Sequence, residues 1–142
     1  MRRVKEILAH KGGDIWSIGP DATVYDAIHL LAEKEIGALL VLDGDALIGV
    51  ISERDYARNI ILKDKSSRDT HVRDIMTKDV ITVGPEEGID KCMGFMTNQR
   101  IRHIPVINDG KLIGVLSIGD LVRAVIAEQQ STIVDLEKYI TS

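Results

Sequence analysis

The chain states nearly the same sequence twice. Laying residues 16–58 over residues 81–123 needs no gap at a constant offset of 65 (81 − 16 = 123 − 58 = 65). Gly19-Pro20 falls on Gly84-Pro85, and Leu47-Ile48-Gly49-Val50-Ile51-Ser52 falls on Leu112-Ile113-Gly114-Val115-Leu116-Ser117. In both copies an Asp follows after two residues (Asp55, Asp120), with an Arg three further on (Arg58, Arg123). A repeat is one supersecondary unit, and the fold is the way such units stack. Two copies are too few for a solenoid, so a pseudo-symmetric pair is expected.

Size and composition point to one compact body. A unit of about 60 residues buries about 60% of its unfolded surface, and a chain near 150 residues nearer 70%, so the copies are expected to share a core. With 44% hydrophobic and 28% charged residues the chain reads as a soluble globule, and 4% aromatic content leaves its packing to Ile, Leu and Val. A net charge of −4 argues against nucleic acid, which is held by an excess of Lys and Arg. The single cysteine, Cys92, can form no internal disulfide and falls at an apolar helical position, which suits a reducing compartment. No run approaches the roughly 20 apolar residues of a membrane span, and the charged start Met1-Arg2-Arg3 has no apolar stretch behind it. A cytoplasmic protein without a membrane partner is expected.

Each copy reads strand, helix, strand, strand, helix. Residues 15–18 predict a short strand stopped by Gly19-Pro20; residues 23–35 carry Val24, Ala27, Ile28, Leu31 and Ala32 on one helical face. Gly37 is expected to end that helix. Strands are predicted over 38–42 and 46–51 around Asp43-Gly44-Asp45, then a helix over 53–62. The second copy repeats this with a strand over 80–83, a helix over 87–98, strands over 104–107 and 111–116 around Asn108-Asp109-Gly110, and a helix over 118–128. Val72-Arg73-Asp74-Ile75-Met76 echoes Val4-Lys5-Glu6-Ile7-Leu8 at an offset of 68, so each unit opens with a helical lead-in. Gly12-Gly13 reads as a turn in the first. The division expected from chain order is 1–62 (first repeat with its lead-in), 63–70 (polar linker), 71–128 (second repeat) and 129–142 (helical tail). In the tail, Thr132 with Asp135 reads as a cap for a separate short helix whose apolar residues are Ile133, Leu136, Tyr139 and Ile140.

The doubled β-α-β-β-α grammar, with Gly49-Val50-Ile51-Ser52-Glu53-Arg54-Asp55 and Gly114-Val115-Leu116-Ser117-Ile118-Gly119-Asp120 in one register and Arg102-His103-Ile104-Pro105-Val106 between, resembles a tandem pair of cystathionine-β-synthase (CBS) domains, the Bateman module. The resemblance runs from about Val4 to Glu128. It implies an α/β (α+β) fold of two pseudo-symmetric repeats packed through their sheets. It also implies a stand-alone regulatory sensor that takes an adenosine nucleotide (AMP, ADP, ATP or NAD) in the cleft between repeats and signals by conformational change. A homodimer and an unidentified protein effector go with it, and no metal is required.

The residues supply a physical reason for such chemistry. In each copy a strand ends at Ser52 or Ser117, placed to cap the next helix, where unpaired N–H groups and the macrodipole favour an anion such as phosphate. One turn on, Asp55 or Asp120 can accept both hydroxyls of a ribose, as an acidic residue does in dinucleotide folds. The same Ser-x-x-Asp spacing is also that of a capping box, a purely structural device. By the resemblance, the base lies between the first and second strands of a repeat. The walls are then Ile15 and Ser17 with Ala38, Leu39 and Leu40 in one copy, and Val80 and Thr82 with His103, Ile104 and Pro105 in the other. Pro105 lacks an N–H, so its place in a strand implies an edge or irregular position that leaves neighbouring backbone groups for a base; Leu40 stands there in the first copy, and the resemblance therefore favours the second copy's site. Arg54, Arg100 and Arg102 are the candidate phosphate partners. Arg54 opposes the macrodipole at a helix start, which an anionic ligand would justify and a solvated side chain would equally explain; Gly119 stands there in the second copy.

His10, His29, His71 and His103 show no metal-ligand spacing with one another or with Cys92. There is no Gly-Lys-Ser/Thr phosphate loop, no Gly-x-Gly-x-x-Gly and no nucleophile beside a base, so no catalytic residue is assigned. A ligand-independent dimerisation or protein-interaction module remains the alternative.

Overall fold

The structure is a computed structural model that describes residues 2–141. Its elements run α1 (Val4–Lys11), β1 (Ser17–Ile18), α2 (Val24–Lys34), β2 (Ala38–Asp43), β3 (Ala46–Ser52), α3 (Glu53–Tyr56), α4 (Val72–Ile75), α5 (Ile89–Asn98), β4 (His103–Asn108), β5 (Lys111–Ser117) and α6 (Ile118–Thr141). A π-helical turn, Ala57–Ile61, continues α3. Among the described residues no helix is long and apolar enough to cross a membrane.

Contacts divide the chain into two compact units. One is Ile15–Ile81; the other joins the residues up to Asp14 to those from Thr82 on. Each unit therefore combines a lead-in with the repeat that does not follow it directly. In the split unit, the Val4 and Lys5 N–H groups donate to the Glu87 and Pro85 carbonyls, and Ile89 N–H to the Arg2 carbonyl. In the Ile15–Ile81 unit, Val72 and Arg73 N–H donate to Ala22 and Pro20, and Val24 N–H to Thr70. The two sets match pair by pair at the offsets of 65 and 68 read from the sequence. So do their flanking ion pairs, Lys5 with Glu86 and Arg73 with Asp21.

Each unit has its own buried cluster where the sequence suggested one shared core. Val24, Ala27, Leu31, Leu39, Val41 and Ile51 meet Val72 and Ile75 of the lead-in α4. Ile89, Cys92, Met96, Ile104, Val106 and Leu116 meet Val4 and Ile7 of the lead-in α1. The lead-in completes the apolar layer over a small sheet that one repeat alone leaves uncovered.

Glycine drives the close fit. A Cβ on Gly114 would stand 2.7 Å from Leu8 Cδ2, and one on Gly49 would stand 2.6 Å from Met76 Sδ and 2.9 Å from the Thr77 carbonyl oxygen. Leu8 and Met76 are equivalent across the repeat of lead-ins, so both motif glycines seat a lead-in side chain. This gives both glycines a packing role.

The sheets differ between copies. β1 pairs parallel with β2 (Ser17↔Leu40, Ile18↔Val41), with Leu40 N–H donating to the Trp16 carbonyl at 3.2 Å. The predicted strand over 80–83 is reduced to one parallel bridge, Val83↔Val106. The cause is Pro105, which occupies the place of Leu40 and has no N–H to donate. The hairpins β2–β3 and β4–β5 are antiparallel with matching irregularities at Val41/Leu42 and Val106/Ile107.

Two predicted ends move. Thr23 caps α2 through Asp26 N–H, but the left-handed stop is Glu35 (φ 55), not Gly37. Glu35 N–H bonds the Ala32 carbonyl and Ile36 N–H the Leu31 carbonyl, a Schellman closure that Gly37 stands too far along to make. The tail is not a separate helix. The Thr132 hydroxyl donates back to the Glu128 carbonyl at 3.1 Å instead of capping a new start, and α6 runs unbroken over 24 residues.

Candidate functional site

In the Ile15–Ile81 unit the register gathers the expected residues at one end of the sheet. Ser17 lies beside Leu40, Ala38 beside Ser52, and Glu53 N–H closes onto the Gly37 carbonyl at 3.2 Å. Ser52 N–H and Ser52 Oγ–H both donate to Asp55 Oδ2, at 2.9 and 3.0 Å, while Asp55 N–H donates to Ser52 Oγ at 3.2 Å. The motif is thus a reciprocal capping box. Asp55 Oδ1 accepts the Thr77 hydroxyl at 3.3 Å. Ser17 is exposed and Ile15, Ala38 and Arg54 are half-buried, whereas Leu39 is wholly buried in the core. Leu39 can offer a ligand only its backbone.

The split unit repeats the arrangement with different chemistry. His103 pairs with Ser117 and Pro105 with Val115 across β4–β5. Ser117 N–H donates to Asp120 Oδ2 at 2.8 Å, and Asp120 N–H to Ser117 Oγ at 3.2 Å. Asp120 is nearly buried, and two cations hold it: Lys11 Nζ at 2.7 Å on Oδ2 and an Arg123 guanidinium nitrogen at 2.8 Å on Oδ1. Ile104 and Pro105 are buried, Thr82 and Arg102 are exposed, and His103 is half-buried. Val80 belongs to the Ile15–Ile81 unit, is half-buried and donates its N–H to the Lys78 carbonyl at 3.0 Å.

Sequence reasoning missed Lys11 and Thr77, which do one job in two ways. Thr77 N–H donates to the Val50 carbonyl and its hydroxyl to Asp55; the Lys11 ammonium donates to the Val115 carbonyl at 2.8 Å and to Asp120. Val50 and Val115, like Asp55 and Asp120, are equivalent in the repeat. The three extra residues around Lys11-Gly12-Gly13 are what allow α1 to bring a lysine where the other copy presents a threonine backbone. Their presence was the signal; the partner was not legible without the packing.

The electrostatics follow. Burial pushes the Asp120 carboxyl up, but the Lys11 ammonium and the Ser117 N–H outweigh it and hold the group below the ordinary 3.8. Burial, with Lys11 adding to it, lowers His103 from 6.5, so its neutral imidazole is favoured. Burial raises the Cys92 thiol, which fits an inert core residue. Among the described residues no group of three His, Cys, Asp or Glu side chains could hold a metal ion.

Comparison with known proteins places these features in a family. The CBS domain family model matches residues 4–62 and 72–127. The chain is 46% identical over 134 residues to the mitochondrial CBS domain-containing protein CBSX3 of Arabidopsis thaliana; the match covers 91% of this chain and 65% of that relative's length. A solved CBS-domain protein from Burkholderia ambifaria is 51% identical, with a TM-score of 0.88, covering 90% of this chain and 96% of the other. A CBS domain pair solved in complex with 5′-methylthioadenosine and S-adenosyl-L-methionine shares the fold (24% identity, TM-score 0.79, covering 90% and 98%).

Proposed function

Because this chain belongs to the CBS-domain family and carries two CBS domains, we propose that it is a regulatory module whose Ser-x-x-Asp sites take the ribose of an adenosine ligand: AMP, ADP, ATP or NAD. The observation that carries this reading is the recurrence, in both units, of an Asp held at the start of a helix beside a strand edge. In one unit that edge is opened by Pro105. Asp55 and Asp120 accept the ribose hydroxyls. Ile15, Ser17, Ala38 and the backbone of Leu39 and Leu40 flank the base in one unit; Thr82, His103 and the backbone of Ile104 and Pro105 do so in the other. Arg54, Arg102 and Lys11 are the cations for phosphate. A domain pair of the same fold was crystallised with two adenosine compounds, which supports the ligand class. A ligand of this kind shifts a conformational equilibrium only by its difference in affinity for the two states.

A second reading is favoured by the hydrogen bonds themselves. Both motifs are complete capping boxes, so the residues can be structural and the module one of ligand-independent association. Calorimetric titration with AMP, ADP, ATP, NAD and S-adenosylmethionine separates the two. On the sensor reading one of these binds saturably, and Asp55→Asn or Asp120→Asn weakens it about tenfold or more while circular dichroism stays unchanged. Absence of heat with every ligand, from folded and ligand-free protein, leaves the association reading.

A further inference from the structure

From Val122 to Ile140, α6 carries a pattern the nucleotide reading does not use. Val122, Ile126, Gln129, Ile133, Leu136 and Ile140 follow one another at alternating steps of four and three residues. That is the seam of a heptad repeat, with Ile126, Ile133 and Ile140 at one core position and Val122, Gln129 and Leu136 at the other. The helix spends a different face on its own unit: Leu121 and Ala124 enter the core cluster. The five apolar seam side chains remain 42% to 80% exposed, in a helix where burial of any one would contribute favourably.

We infer that this seam pairs with the same seam of a second copy of the chain, antiparallel, forming a two-stranded coiled coil about a two-fold axis near Ser131. The spacing is self-complementary. Turned end for end, Val122 meets Ile140 of the second copy, Ile126 meets Leu136, and Gln129 meets Ile133, with each layer repeated on the other side of the axis. Charge selects the direction. The flanking position just after Val122, Gln129 and Leu136 holds Arg123, Gln130 and Glu137. Antiparallel pairing sets Arg123 against Glu137 of the second copy twice and Gln130 against itself, whereas parallel pairing sets Thr132 against Glu137 and Val125 against Gln130 and joins no opposite charges. Arg123 bonds Asp120 through one nitrogen, and its planar fork has donors left for a second carboxylate. Gln129, the one polar seam residue, costs some stability and fixes the register, as a lone polar core residue does.

Sedimentation equilibrium on the full chain tests this, with Leu136→Glu and Gln129→Leu as opposed variants. Leu136→Glu is expected to halve the sedimenting mass with circular dichroism unchanged, since the side chain is exposed in the single chain. Gln129→Leu is expected to tighten association by about tenfold or more, by replacing an amide with an apolar layer. Spin labels at Gln130→Cys should lie close across the pair, while labels at Glu137→Cys should be separated by about 21 Å more along the axis, fourteen residues at 1.5 Å each. A wild-type chain that does not self-associate, or association insensitive to Leu136→Glu, overturns the proposal. Close labels at both positions overturn the antiparallel direction.

Discussion

Asp120 and Asp55 occupy the same place in the repeat and live under different electrostatics. Lys11 and Arg123 surround one; a threonine hydroxyl meets the other. Replacing Lys11 by Met leaves the nearly buried Asp120 without its shorter ion pair, and chemical denaturation should register a loss of about 1–3 kcal/mol at neutral pH. The acid limb gives the sign. A carboxyl whose folded value lies below 3.8 contributes stability that is complete above 3.8 and is lost as pH falls through the lower folded value. Without Lys11 the folded value rises, so the acid contribution of Asp120 shrinks and the variant's stability curve flattens in that region; an unchanged curve would show that Lys11 does not hold the carboxylate in solution. His103 acts higher on the scale. Its lowered folded value means the unfolded chain takes up a proton below about 6.5 that the folded chain resists, so stability falls as pH drops through that region. His103→Gln should remove that slope, read in the same denaturation series. At this scale the Ser and Asp motifs were legible because spacing alone defines a cap. Lys11 and Thr77 were not, because they reach the motif from elements distant in the chain.

Elements show where tertiary contact overrode local rules. The repeat offset gave the strands and helices nearly at their observed bounds, since alternation and helical periodicity are local. The lead-ins were legible as helices, but not the repeat on which each one packs, a choice settled by Leu8 over Gly114 and Met76 over Gly49. The short strand over 80–83 failed because one Pro105 removed the donor of its ladder. The separate tail helix failed because Thr132 satisfied its hydroxyl within an existing turn. The glycine contacts carry a prediction. An alanine methyl at 114 meets a leucine methyl that can rotate aside, whereas one at 49 meets the Thr77 carbonyl, which is tied to Val50 by a pair of backbone hydrogen bonds. Gly49→Ala should therefore cost about 1–3 kcal/mol and Gly114→Ala less. Leu8→Ala combined with Gly114→Ala should cost less than the sum of the two single losses, a coupling that a double-mutant cycle of denaturation midpoints measures.

At the scale of the molecule, chain order and physical grouping part company. Sequence order attaches α1 to the repeat it precedes, yet Val4 and Ile7 are buried with Ile104, Val106 and Leu116, and its N–H groups bond Pro85 and Glu87. Local opening follows contiguous packed units rather than contiguous sequence. Hydrogen exchange should therefore show the amides of α1 losing protection together with those of β4, β5 and α5, and those of α4 together with β2 and β3. Mild acid sharpens the distinction. Glu86, His103 and Asp120, whose folded state resists protonation, all belong to the unit that holds α1. Lowering the pH below about 6.5 should reduce protection factors, taken against the intrinsic exchange rate at each pH, in α1, β4 and β5 before it does so in β2, β3 and α4. Exchange of α1 in step with β2 and β3 would mean that the lead-in is held by the repeat it precedes. The ion pair between Lys11 and Asp120 would then have to be transient, and the chemical difference between the two Ser-x-x-Asp motifs would vanish with it.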